Sequence, residues 1–231
     1  SVTISTHCQK PEDTEDWSRE PAVVTPGKGT LPPSDAIVLY GGPGDLDKWE
    51  SERGGPPTWI ATQECLTVAP RTAGIRTKQS FGDVQLHVEW RTPEVVVGAG
   101  QGRGNSGVFL MGRYEVQVLD SYENETYYNG QAASIYKEHI PLVNACLPPG
   151  QWQTYDIIFK APVFREDGSV DTPAFITVIH NGVLVQNHVE IKGTTAFIGK
   201  HKYEAHPEKL PLSLQDHTNP VSFRNIWIRE L

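Results

Sequence analysis

The chain has 231 residues, with 20 Lys and Arg against 28 Asp and Glu, for a formal charge of −8. An acidic chain is a poor partner for nucleic acid or an anionic membrane surface. Its 21 Gly and 18 Pro exclude a helical bundle or coiled coil, and its six Trp among many β-branched residues exclude a disordered chain.

Residues 1–35 are polar and broken by Pro11, Pro21, Pro26, Pro32 and Pro33, and read as an irregular N-terminal arm. Short apolar runs then recur between turn signals: Ala36–Tyr40, Thr58–Thr62 and Glu64–Ala69. The clearest strand is Val84–Arg91, where Val84, Leu86, Val88 and Trp90 alternate with polar residues at a period of two, placing Trp90 in the core. Ser106–Met111 and Tyr114–Leu119 are separated only by Gly112-Arg113 and read as a hairpin. Trp152–Lys160, Phe175–His180, Val183–Glu190 and Ser222–Glu230 complete the set. Asn181-Gly182 between two of these runs is a strong hairpin signal. Many short strands with regular turns, no helical stripe, no repeat and no second domain predict an all-β sandwich.

Cys8, Cys65 and Cys146 form no C-x-x-C pair, which argues against zinc ribbons and redox motifs. An odd count leaves at least one thiol free, and a Cys8–Cys65 disulfide stays open. No run of 18 apolar residues exists, so no membrane insertion is expected. The chain begins at Ser1 and its one Met is Met111, so either a leader was removed or the chain was trimmed. Asn124-Glu125-Thr126 is a glycosylation sequon of the kind chance also produces.

Several motifs fail. The glycine-rich stretch 98–105 lacks the Gly-Lys-Ser/Thr ending of a phosphate loop and reads as a mobile connection. The Gly104-Asn-Ser-Gly107 run has the wrong spacing for a nucleophile elbow around Ser106. His201 and His206 are five apart and followed by Pro207, so they read as a solvated loop rather than a zinc pair.

Three segments carry chemistry on alternate positions. In Tyr114–Asp120, Glu115 and Gln117 face away from the core, about 6.7 Å apart. Leu214–Pro220 gathers Gln215, Asp216, His217 and Asn219 in a turn, where His217 suits acid–base work and Asp216 and Asn219 suit capping. In Gly74–Lys78, Arg76 and Lys78 bracket a strand end, and beside Glu115 Arg76 would supply a cation for an oxyanion. Trp59, Trp152 and the Tyr127-Tyr128 pair are candidates for stacking on sugar rings.

The runs Gly74–Lys78, Phe81–Arg91, Asn105–Leu110, Tyr114–Ser121, Pro141–Ala145, Pro148–Phe159, Leu214–His217 and Phe223–Ile228, in this order, resemble the 3-keto-disaccharide hydrolase family. The resemblance covers roughly residues 36–231 and leaves the arm outside. It implies a concanavalin-like jelly-roll β-sandwich of two antiparallel sheets with a concave ligand face. It also implies an exported, bacterial enzyme whose partner is a saccharide oxidised to a ketone at C3. Related sandwich glycosidases carry Glu-x-Asp-x-x-Glu on one strand, and this chain has Glu115-x-Gln117-x-x-Asp120, so the usual pair of facing carboxylates is altered.

A 3-keto sugar does not need that pair. The ketone acidifies the C2 hydrogen; a base removes it, and the C1 substituent leaves by elimination, with or without later addition of water. Glu115 and His217 are the candidates for base and acid, Asp216 for orienting His217, and Asp120 for a second carboxyl. Arg76, Asn105 and Gln117 are candidates for orienting the sugar or stabilising the enolate, followed by Glu89, Tyr136 and Lys137. No metal motif is present, although a divalent cation is an alternative electrophile. The competing reading is a non-catalytic carbohydrate-binding module, which a flat Trp/Tyr platform remote from these residues would favour.

Overall fold

Alternation of apolar and polar residues divides the chain into strands with one face in the core. The computed structural model describes residues 9–231. Fifteen strands occur among them: β1 (Ile37–Tyr40), β2 (Trp49–Ser51), β3 (Ile60–Ala61), β4 (Leu66–Thr67), β5 (Ile75–Phe81), β6 (Val84–Arg91), β7 (Ser106–Leu110), β8 (Tyr114–Val118), β9 (Gln153–Lys160), β10 (Val163–Phe164), β11 (Val170–Thr172), β12 (Phe175–His180), β13 (Val183–Glu190), β14 (Leu210–Leu214) and β15 (Ser222–Glu230). The front sheet runs β2-β5-β14-β7-β8. The back sheet runs β13-β12-β9-β6-β15, with β1 and β4 sharing the far edge of β15 and β3 beyond β4. All pairings are antiparallel, and β10 with β11 forms a separate ribbon. The fold is the concanavalin-like jelly-roll sandwich.

The core is filled from both inner faces. Leu86, Val88, Trp90, Tyr155, Ile157, Phe159 and Phe223 from the back sheet meet Ile75, Val108, Val116, Leu212 and Leu214 from the front sheet, all buried. Burying each large apolar side chain is worth about 1.5–3 kcal/mol. Tyr155 carries a hydroxyl into this core and donates it to the Gln117 carbonyl at 2.6 Å, which ties the back sheet to the strand bearing the site.

Two hairpins are closed by residue pairs at positive φ: Asn181-Gly182 between β12 and β13, and Met111-Gly112 between β7 and β8. The second turn lies one residue earlier than the expected Gly112-Arg113. β14 carries no expectation from the sequence because Pro211 lies inside it. It is nonetheless the middle strand of the front sheet. It tolerates proline because β7 pairs only with Ser213 and Leu214, so Pro211 lies beyond that ladder. A bulge follows, and Thr77 Oγ1 accepts from Leu212 N there.

Residues 25–35 lie against the outer face of the back sheet. Asn225 Nδ2 and Trp227 Nε1 donate to Thr30 O at 2.8 and 3.0 Å, and Arg229 grips Asp35 through two 2.8 Å bonds. Among the described residues Cys65 and Cys146 form no disulfide, and Cys8, the other half of the open Cys8–Cys65 pairing, lies outside them. Among the described residues no helix is long and apolar enough to cross a membrane.

Candidate active site

The register of the front sheet aligns Glu50, Arg76, Ser213, Phe109 and Glu115 in one outward-facing row across its five strands. Residues 133–136 extend the row by pairing with the free edge of β8: Gln117 N donates to Ser134 O at 3.0 Å and Tyr136 N to Glu115 O at 3.2 Å. Glu115 therefore stands between the rings of Phe109 and Tyr136. It is 4% exposed, and burial pushes its carboxyl up to about 8, so it is protonated at neutral pH.

Gly107, on β7 opposite Gln117, makes room for this carboxyl. A Cβ on Gly107 would lie 2.2 Å from Glu115 Oε2. Any larger residue would expel the carboxyl from where it rests.

Three loops wall the site. The first is the glycine-rich stretch, which is pinned rather than loose. Asn124 accepts from Gly100 N and donates to Gly100 O and Asp120 O, so the sequon asparagine is spent on the fold. Asn105 Nδ2 donates to Gln101 O at 2.7 Å. The second wall is residues 191–203. Glu115 N donates to Thr195 Oγ1 at 3.0 Å, and Lys137 Nζ donates to Phe197 O at 2.6 Å with its charge over the Phe197 ring. The third is the turn that carries His217. Asp216 accepts from Thr72 N, Ala73 N and Thr218 N, while Asn219 accepts from Asn105 N.

Together these elements enclose a cavity of about 620 Å³ lined by Gln101, Gly102, Asn105, Phe109, Glu115, Gln117, Tyr127, Tyr136, Thr195, Phe197, Gln215 and His217. Tyr127 and Tyr136 join their hydroxyls at 2.5 Å. Burial, reinforced by that bond, raises the Tyr136 pKa.

Of the expected residues, the structure gathers Glu115, Gln117, Asn105, Tyr136 and the exposed His217 on this cavity, with Lys137 behind its aromatic wall. It places the others elsewhere. Arg76 is three strands from Glu115, about 14 Å at normal strand spacing, and pairs with Glu50 at 2.8 Å. Asp216 spends its carboxylate on three backbone amides instead of orienting His217. Asp120 is buried against Arg103 at 2.7 Å. Glu89 lies on the outer face of the back sheet, bonded to His87, Arg224 and Asn225. Trp59 is in the core and Trp152 is stacked by Arg91 and Arg224 away from the cavity. His201 corrects the solvated-loop expectation, because its side chain is buried beside Glu138 at 3.2 Å. His206 bonds the Tyr114 hydroxyl at 2.7 Å.

The cavity residues absent from the sequence reading are Gln101, Phe109, Thr195, Phe197 and, as a lining side chain, Gln215. Phe109 faces Glu115 across the β7–β8 hairpin, a pairing that the expected Gly112-Arg113 turn shifts by one residue. Among the described residues no group of three or more His, Cys, Asp or Glu is arranged to hold a metal ion.

The fold is an antiparallel β-sandwich with a walled cavity on its front sheet. Residues 35–229 match the 3-keto-alpha-glucoside-1,2-lyase-like domain family, and the chain belongs to that family. A crystallised candidate glycosyl hydrolase of Parabacteroides distasonis ATCC 8503 is 50% identical, covering 96% of this chain and 97% of its own, with a TM-score of 0.92. A second candidate glycosyl hydrolase from that organism shares the fold at 18% identity and a TM-score of 0.59, covering 85% of this chain and 94% of its own. No curated protein matches the chain.

Proposed function

We propose that this enzyme cleaves 3-keto-glycosides by removing the C2 proton and eliminating the C1 substituent. The observation that carries the reading is the Glu115 carboxyl, buried over Gly107 in a cavity that His217 also lines. His217, exposed to solvent, takes the C2 proton. The C2–H electrons move onto C2–C3 and the ketone oxygen. They return to form the C1–C2 double bond as the C1–O bond breaks, and Glu115 gives its proton to the departing oxygen. Water adding at C1 and a proton at C2 convert elimination into net hydrolysis. Asn105 and Gln117 orient the sugar from the polar wall, and Tyr136 and Phe109 keep water from Glu115.

Convergence of Glu115 and His217 favours the enzyme over a binding module, as does the placement of Trp59 and Trp152 away from the cavity. The test is release of aglycone from a 3-keto-α-glucoside. Wild type turns it over and E115Q loses at least about 100-fold, the range for a lost general acid. Full activity in E115Q would remove Glu115 from the mechanism, and no turnover of any 3-keto-glycoside by wild type would sink the assignment.

A further inference from the structure

Gln117 is 1% exposed, yet its amide oxygen has no hydrogen-bond partner. Its nitrogen is fully engaged, donating to Gly130 O at 3.0 Å and to Gln101 Oε1 at 2.9 Å. A backbone carbonyl only accepts, so Gly130 fixes which end of the amide is which. Gln101 reinforces the lock by donating to the same carbonyl at 2.9 Å and to Thr126 Oγ1 at 3.0 Å. The Gln117 oxygen is thereby left as a buried, unpartnered acceptor on a residue that lines the cavity. Gln215 Oε1, on the same lining, is a second buried acceptor without a partner.

An unpaired buried acceptor is costly, and a ligand that donates to it removes the cost. No Arg or Lys lines the cavity, so a ligand hydroxyl is a donor that suits these oxygens. Lys137 is held by the Phe197 carbonyl and Arg103 by Asp120. A carboxylate offered to these two oxygens would meet acceptors only.

We propose that Gln117 and Gln215 determine specificity by accepting from free hydroxyls of a neutral sugar ring, with Gln101 as the positioning residue that holds Gln117 in register. The cavity then rejects deoxy analogues and uronates. This rests on the reading of the cavity as a glycoside site.

The test is titration calorimetry on the E115Q protein with methyl 3-keto-α-D-glucopyranoside, its 2-, 4- and 6-deoxy counterparts and the matching 3-keto-glucuronide. At least one deoxy analogue and the uronide bind about 10- to 100-fold more weakly than the parent. That deoxy penalty collapses when Q117L or Q215L is added, whichever residue faces the missing hydroxyl. If either fails to fold, Q101A reads the same effect as a reduced ratio between parent and analogue, which a merely structural role would leave unchanged. Equal binding of all five ligands, or a penalty that survives Q117L, Q215L and Q101A, would overturn the proposal. Absence of parent binding would overturn the glycoside site itself. Discrimination of this kind in a protein that cleaves no 3-keto-glycoside would sustain this proposal while the cleavage reading fails.

Discussion

Glu115 Oε2 occupies the space that a side chain on Gly107 would need, with only 2.2 Å between it and the position of a Gly107 Cβ. The proton donor and the glycine belong to paired strands, so the carboxyl lies along the sheet surface rather than standing up into solvent. A buried, neutral carboxyl is thus built from backbone geometry as much as from the apolar rings beside it.

Gly107→Ala follows from this contact. The added methyl displaces the carboxyl while leaving the core-facing side of β7 untouched. Misplacement of a reacting group by about 1 Å costs on the order of 100-fold in rate. The expected outcome is a fall of that size in kcat for a 3-keto-glucoside, with an intact far-UV circular dichroism spectrum and a melting temperature near that of wild type.

Titration of Glu115 sets two pH dependences. Its folded pKa is raised from 4.5 to about 8 by burial, so the folded state holds a proton the unfolded state has released across that window. Stability therefore falls as pH rises from about 4.5 to about 8, and E115Q removes this fall. Denaturant unfolding at pH 5 and pH 9 checks it, with the wild-type deficit relative to E115Q appearing at the higher pH. Activity that needs the protonated acid declines as pH passes about 8.

On the opposite sheet, His87 bonds Asp156 and Glu89 at 2.7 Å each and stacks on Trp227. Burial alone would lower its pKa, but the two carboxylates outweigh it and raise it to about 9; Glu89, despite its own burial, is held down near 2 by His87, Asn225 and Arg224. The His87 contribution is fully present below about 6.5 and lost as pH rises through about 9. The Glu89 contribution is present above about 4.5 and lost as pH falls toward about 2. His87→Leu removes one of the three partners of Glu89 and leaves Arg224 and Asn225 in place, so it is expected to cost about 1–3 kcal/mol in chemical unfolding. Because this cluster lies behind the core from the cavity, kcat at temperatures where the variant is folded should be unchanged.

The buried pair Glu138–His201 fastens the loop that brings Thr195 and Phe197 to the site, since Glu138 also accepts from Lys192 N at 2.7 Å. His201→Ala releases one end of that loop. The expected outcome is a KM raised several-fold with a smaller change in kcat, measured by steady-state kinetics on a 3-keto-glucoside.

Strand identity was legible wherever parity was clean, as in Val84–Arg91, and so was the outward pair Glu115 and Gln117. What one-dimensional pattern missed was register. Pro211 hid β14, and without β14 nothing in the sequence places Arg76 three strands from Glu115. Local polar density also misled: Asp216 stands next to His217 in the chain, yet backbone amides from a distant loop take its carboxylate. Glycine-rich composition suggested mobility for residues 98–105, whereas Asn124 and Gln101 tie that loop down through contacts 24 and 29 residues away in sequence. Such long-range contacts leave no periodic signal.

Cleavage of a 3-keto-α-glucoside in deuterium oxide tests the elimination most directly. With His217 open to solvent, the C2 proton exchanges once removed. The account predicts either an unsaturated sugar lacking hydrogen at C2, or released 3-keto-glucose carrying deuterium at C2 beyond an enzyme-free control. Released 3-keto-glucose that keeps its original C2 hydrogen would contradict it and point to direct hydrolysis at C1.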